Sequence, residues 1–136
     1  MKSCFELFPI GVVRKTDGAV WLEIYEPYRD AMLGLDGFSH VMVFFWFHEN
    51  DTPEGRSVLR VHPRKDPANP LTGVFATHSP FRPNLIGCST CKILSVDENR
   101  IRIENIDAFD GSPLIDLKCF VPAAFPDTDI RLPDWV

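Results

Sequence analysis

No stretch of the 136 residues approaches the run of about 18 apolar positions that a membrane-spanning helix needs. The first residues, MKSCFELFPIGVV, hold only a short apolar run and no small-residue cleavage site, so a secretory signal is not expected. The reading that follows is a cytoplasmic protein without a membrane. Neither GxGxxG nor a phosphate-loop signature occurs, which argues against a Rossmann-type nucleotide site. Internal repeats are not visible. The four cysteines include one CxxC, Cys88-Ser-Thr-Cys91, but no second pair to complete a metal site. Moreover, Ile86 to Val96 reads as a strand. Residues three apart on a strand face opposite ways, so these two thiols cannot share a metal.

What is present is a globular composition, 45% apolar and 24% charged, of a size suited to one domain. The net charge of −5 is unevenly spread. Between Arg56 and Arg102 lie Arg56, Arg60, Arg64, Lys65, Arg82, Lys92, Arg100 and Arg102 against only Asp66, Asp97 and Glu98, a surplus of five positive charges. The remainder is strongly acidic. The basic segment is either ordinary solvated charge or a phosphate-facing patch.

Short β-like runs recur between Gly, Pro, Asp and Asn. Phe5 to Val13 and Ala19 to Ile24 predict a hairpin about Lys15-Thr-Asp-Gly18. Pro27 to Leu33 predicts a short helix, with proline in its first turn and Gly34 past its end. Ser39 to His48 is apolar nearly throughout and predicts a central strand buried on both faces. Ser57 to His62 and Gly73 to Ala76 are further strands. Lys92 to Glu104 is a hairpin turning at Asp97-Glu-Asn99, and Leu114 to Phe120 a last strand. Together they predict an all-β fold: a small closed barrel over residues 1–122 with one short helix, then a Pro-rich tail over 123–136.

Three stretches could carry chemistry. In GVFATHSPFRPNLIG the prolines hold Phe81 and Arg82 extended, and Asn84 can lock the bend. Arg82 then either offers its guanidinium to a carboxylate or phosphate, or caps backbone carbonyls of its own turn. In IDAFDGSPLIDLK, Asp107, Asp110 and Asp116 lie close in sequence, but the spacing is not that of a calcium loop, and no metal is expected. His40 and His48 stand eight apart, so one strand would point them the same way but roughly 26 Å apart, too far to share a zinc ion.

The segments PIGVVR, FSHVMVFFWFH, GVFATHSPFRPNLIGCS and IDAFDGSPLIDLKCFVP, in this order, resemble the TsaA-like (YaeB/TrmO) family across Phe8 to Pro122. That resemblance implies a β-barrel, usually homodimeric, which binds S-adenosyl-L-methionine near the dimer interface. It implies N6-methylation of threonylcarbamoyl-adenosine in tRNA. Cofactor contacts would fall on His48, Glu49, His78, Cys88 and the turn Ile106, Asp107, Ala108 and Phe109. Arg82 and Asn84 would shape the donor pocket or hold substrate, with Arg64 in the basic segment facing RNA. Asp110 and Asp116 would support the site, and His40 or Asp116 could accept the proton released. The family pattern has arginine where His78 stands, proline where Leu85 stands, and a Pro-Arg-Gln loop where this chain has only Arg14 to Gly18. A divergent relative that binds the cofactor without catalysis, or that methylates a small metabolite, is the alternative.

Overall fold

The computed structural model describes residues 3–136; Met1 and Lys2, the start of the predicted domain, lie outside the described residues. Strands β1 (Gly11–Thr16) and β2 (Ala19–Ile24) form a hairpin. Its turn residues Asp17 and Gly18 both take positive φ, 50° and 77°, the backbone that matches the twist of a two-residue hairpin. β3 (His40–Trp46) follows, then a single-turn helix α1 (Pro53–Ser57) capped by the Thr52 hydroxyl, which accepts from Gly55 N. Two short strands, β4 (Arg60–Val61) and β5 (Thr72–Gly73), pair only with each other. β6 (Ile86–Asp97), β7 (Arg100–Ile103) and β8 (Pro113–Cys119) complete the set.

The six long strands close into an antiparallel barrel in the order β1-β2-β7-β6-β3-β8, sealed where Gly11 and Val12 pair with Leu114 and Pro113. The barrel interior holds Val13, Leu22, Val41, Val43, Ile101, Ile103 and Leu114, every one at or below 1% exposure. Each such side chain contributes about 1.5–3 kcal/mol relative to exposure, so closure is driven by filling this space. Asn99 ties the β6–β7 turn to β2: its Nδ2 donates to Ile24 O, and its own carbonyl accepts from Ile24 N, both at 2.8 Å.

Several sequence expectations shift. Phe5 to Ile10 is not strand; β1 begins at Gly11. The short helix expected over Pro27 to Leu33 is present as a seven-residue 3-10 helix, Glu26–Met32, one residue earlier. β3 is buried on one face only: Val41, Val43 and Phe45 point inward, and His40, Met42, Phe44 and Trp46 are half-buried on the outer wall. An antiparallel barrel has a solvent-facing side, and this strand keeps apolar residues there. β3 ends at Trp46, so His48 lies beyond it in a 3-10 turn and does not share a strand face with His40. Ser57 belongs to α1 and Val74–Ala76 to a 3-10 turn, so both flanking strands are two residues long. Ala123 to Val136 runs exposed except for half-buried Trp135, with one 3-10 turn at Asp127–Asp129.

Candidate functional site

The turn after β7 is built by alternation. Ile106 and Ala108 plug the barrel end at 4% and 3% exposure, which leaves Asp107 and the 61% exposed Phe109 facing out. Three attachments fix it. Lys15 Nζ donates to Ile106 O at 2.7 Å, Lys15 N donates to Asp110 Oδ1 at 2.8 Å, and Ser89 Oγ donates to Asp107 Oδ1 at 3.1 Å. Gly111, at φ 83°, closes the turn by donating to Val13 O. Asp110 therefore acts on backbone and supports the turn. The amides of Asp107, Ala108 and Phe109 have no intramolecular acceptor among the described residues. They are the donors a polar ligand could use.

The Pro-rich loop lies before β6. Thr77 Oγ1 accepts from Ser79 N, and Ser79 Oγ accepts from Phe81 N. Arg82 Nη1 donates to Thr77 O at 3.2 Å and to Ser79 O at 3.1 Å. The carbonyl-capping reading of Arg82 is thus the one realised: this nitrogen braces its own loop rather than facing outward. The loop is held from outside by Asn50 Nδ2 on Pro80 O and Arg56 Nε on Pro83 O, at 3.1 and 2.9 Å. Asn84 turns its Oδ1 to Arg56 Nη2 at 3.3 Å. His78 is exposed on the same loop.

His48 sits just past β3, where Phe47 N donates to Leu85 O. Its Nδ1 is buried and has no hydrogen-bond partner among the described residues. A buried polar atom without a hydrogen bond costs free energy unless a ligand supplies one. Glu49 beside it is exposed. His48 follows the Phe47–Leu85 hydrogen bond at the start of β6, and Asp107 is held by Ser89, three residues into that strand. This set suits a nucleoside-like ligand that brings both donors and acceptors.

Cys88 points outward on β6 and Cys91 inward, at 3% exposure, so the opposite-face expectation holds. Partial burial pushes the Cys88 thiol up. Burial, then the negative charge of Asp107 and then Cys88, push Cys91 up to about 11. Both stay thiols at neutral pH, which makes them packing and contact groups rather than nucleophiles. Among the described residues no three His, Cys, Asp or Glu side chains cluster as a metal would require.

The two candidate proton acceptors are not brought together. Asp116 is in register with Phe44, whereas His40 pairs with Lys92 at the other end of β3. Four residues of strand separate them, roughly 13 Å. His40 accepts or donates at Ser39 Oγ (2.7 Å) and packs on Phe120, far from His48. Asp116 is nearer the site: Phe44 lies between it and Cys88 on the outer wall. Asp116 also borders an apolar cavity of about 370 Å³ with Tyr28, Met32, Leu35, Phe38 and Leu117. Arg82 and Asp107 line neither that cavity nor a second one of about 290 Å³ around Trp46, Pro113 and Ile115.

Lys15 and Arg56 are the residues that sequence reasoning passed over. Lys15 was visible only as part of a short hairpin turn. Arg56 stood in the basic segment, with nothing to mark it as a brace.

The model of the family described as tRNA-methyltransferase O N-terminal domain matches residues 2–125. A probable S-adenosyl-L-methionine-binding protein of Methanocaldococcus jannaschii is 46% identical over 116 residues, 85% of this chain and 92% of that protein. The tRNA (adenine(37)-N6)-methyltransferase of Escherichia coli is 38% identical over 120 residues, 84% of this chain but 49% of the enzyme. The crystal structure of TrmO from Pseudomonas aeruginosa superposes with a TM-score of 0.70 at 27% identity, over 95% of this chain and 62% of that one. The chain thus spans about half to two thirds of these two longer proteins.

Proposed function

The chain belongs to the tRNA-methyltransferase O N-terminal domain family, and from that membership we propose that it is an S-adenosyl-L-methionine-dependent methyltransferase whose acceptor is N6 of threonylcarbamoyl-adenosine in tRNA. The enzyme type and cofactor follow from relatives named as methyltransferases and S-adenosyl-L-methionine-binding proteins. The acceptor follows from the relative named for adenine-37 of tRNA.

One observation in the structure carries the site assignment. A turn whose amides at Asp107, Ala108 and Phe109 have no acceptor among the described residues is braced by Lys15 and by Ser89 of β6, and the buried Nδ1 of His48, two residues past the end of β3, has no partner among the described residues. When bound, the cofactor supplies an already activated sulfonium methyl. The protein's part is positioning and desolvation, worth about 7–11 kcal/mol in well-oriented reactions. In this reading His48 Nδ1 and the turn amides bind the nucleoside, and Glu49 and Asp107 face its cationic groups. His78 and Cys88 border it. Arg82 and Asn84 fix the loop that carries His78, and act by positioning. Asp116, across Phe44 from Cys88, takes the proton lost by the carbamoyl N6–H as the methyl is transferred; His40, a strand length away, is set aside. Arg64 faces RNA.

A second copy of the chain, laid on the outer wall of half-buried Met42 and Phe44 and exposed Cys88, would complete the pocket, so the working state is a homodimer in the cytoplasm. The barrel to residue 122 carries the activity, and the tail from 123 lies outside it.

The test has two arms. Calorimetry with S-adenosyl-L-methionine should give saturable binding, lost in His48→Ala. Transfer of labelled methyl should then occur to tRNA that carries threonylcarbamoyl-adenosine without its N6-methyl. Binding without transfer selects the inactive or small-metabolite relative. No heat at millimolar cofactor overturns the assignment.

A further inference from the structure

The eight basic residues of the central segment do not form one surface. Arg56 and Arg82 are held by backbone carbonyls of the Pro-rich loop. Arg100 and Arg102 lie over the Trp21 ring at 4.4 and 5.8 Å, on a wall where Arg14 is paired with Glu23 and Asp97 stands opposite Arg100. Lys92 is opposite His40 on the outer wall. Arg60, Arg64 and Lys65 remain. All three are exposed, and none is in an ion pair among the described residues.

These three share the β4–β5 flap. Its stem is the Arg60–Gly73 and Val61–Thr72 pairs, extended by Val74 N on Leu59 O. Its tip closes on itself. His62 Nδ1 shares a hydrogen bond with Asn69 O, Asn69 Nδ2 donates to Pro63 O, and Asp66 Oδ1 accepts from Ala68 N. The one acidic residue of the flap is thus turned to backbone. Arg64 and Lys65 both take left-handed backbone, φ 59° and 57°. Glycine would adopt this without strain, yet two long cations occupy it, held by a tip that over-determines their conformation. At the flap base, Phe75 is 84% exposed. The same chain then runs directly into the loop bearing His78.

We infer that the β4–β5 flap is a single-stranded RNA grip, with Arg60, Arg64 and Lys65 on successive phosphates and Phe75 under an unstacked base. Unpaired cations on a braced flap backbone, with one exposed aromatic ring at the flap base, are what an unpaired RNA segment requires: phosphate neutralisation along the backbone and a π-face for a base. A duplex offers no splayed base to Phe75. The inference rests on the RNA-acceptor reading above and extends it to a surface. It predicts that the acceptor nucleotide arrives at the site from the flap side.

Fluorescence anisotropy with a labelled anticodon stem–loop RNA, between about 50 and 200 mM salt, tests it. Arg64→Gly/Lys65→Gly should keep cofactor affinity within about twofold and leave thermal stability equal or higher, because the strain is relieved. RNA affinity should fall roughly tenfold or more at low salt, and the slope of log K against log salt should shrink by about 1.4, the share of two single-strand phosphates. Arg60→Ala should remove about 0.7 from that slope. Phe75→Leu should weaken binding roughly tenfold with the slope unchanged, the mark of lost stacking rather than lost charge. If wild-type protein binds the RNA and the flap variants match it, the flap inference is overturned while the acceptor reading stands. Absence of RNA binding by the wild type at low salt overturns both. Equal competition by polyglutamate shows a generic anion surface and also overturns the grip.

Discussion

The Arg56 guanidinium lies 5.5 Å from the centre of the Trp46 ring while Nε and Nη2 of the same group donate to Pro83 O and Asn84 Oδ1. Asp51 links the two residues, accepting from Trp46 Nε1 at 2.9 Å and facing Arg56 Nη1 at 3.6 Å. One side chain thereby locks the Pro-rich loop to the end of β3, next to His48. Replacing Arg56 with alanine should destabilise the fold by about 1–2 kcal/mol, the lower part of the range for charged hydrogen bonds because the group is half exposed. Lysine should not rescue it, since a single ammonium cannot serve a ring face, a carbonyl and an amide together. Urea unfolding gives the stability change, and cofactor titration should show weakened binding in both variants.

Lys15 is the corresponding brace for the other half of the site. Its Nζ reaches Ile106 O and its amide reaches Asp110. Lys15→Met keeps the stem but removes the ammonium, so the turn should loosen where its amides await a ligand. The expected loss is about 1 kcal/mol of stability with a larger proportional loss of cofactor affinity. Equal cofactor affinity in Lys15→Met and wild type, by calorimetry, would remove the turn from the binding site.

The barrel was legible because its signals are local. The Asp17-Gly18 turn, the alternation Ile101, Arg102, Ile103 and the opposed Cys88 and Cys91 each follow from neighbours within a few residues. The outer wall of β3 was not legible, because Met42, Phe44 and Trp46 are as apolar as an interior strand would be. The braces were not legible either. Arg56 meets Pro83 27 residues away, and Lys15 meets Ile106 across 91, so only the folded chain brings them together. Arg82 shows the limit most directly. The two prolines do make it rigid, but rigidity does not say which way a guanidinium turns. Two free carbonyls within its own loop decided that.

Gly87 follows from the same packing. A Cβ there would lie 2.5 Å from Phe45 Cζ and 2.9 Å from Phe47 Cζ. Those rings meet edge to face at 5.3 Å, so neither can retreat without disturbing the other. Gly87→Ala should cost about 1–3 kcal/mol, the range for an overpacked core. Adding Phe47→Leu should recover part of that loss, because it shortens one of the two obstructing rings. Thermal unfolding of the single and double variants checks this; a single variant as stable as wild type would contradict the close approach.

Cys91 gives the fold a dependence on alkaline pH. Its thiol is buried beside Asp107 and is pushed up to about 11 from an ordinary 9.0. Below pH 9 the group is neutral in both folded and unfolded chains, so its full contribution is present. As pH rises from about 9 to 11, the unfolded chain ionises first and gains stability relative to the folded one. Stability should therefore fall across that window, and it should fall less steeply in Cys91→Ala, whose own baseline is lower for want of packing. Asp107→Asn removes a neighbouring negative charge and should move the midpoint of the decline to lower pH, because the thiolate would then form more readily in the folded state. Parallel melting curves between pH 8 and about 11 separate these cases. Identical slopes for wild type and Cys91→Ala would mean that the buried thiol is not what limits the barrel in alkali.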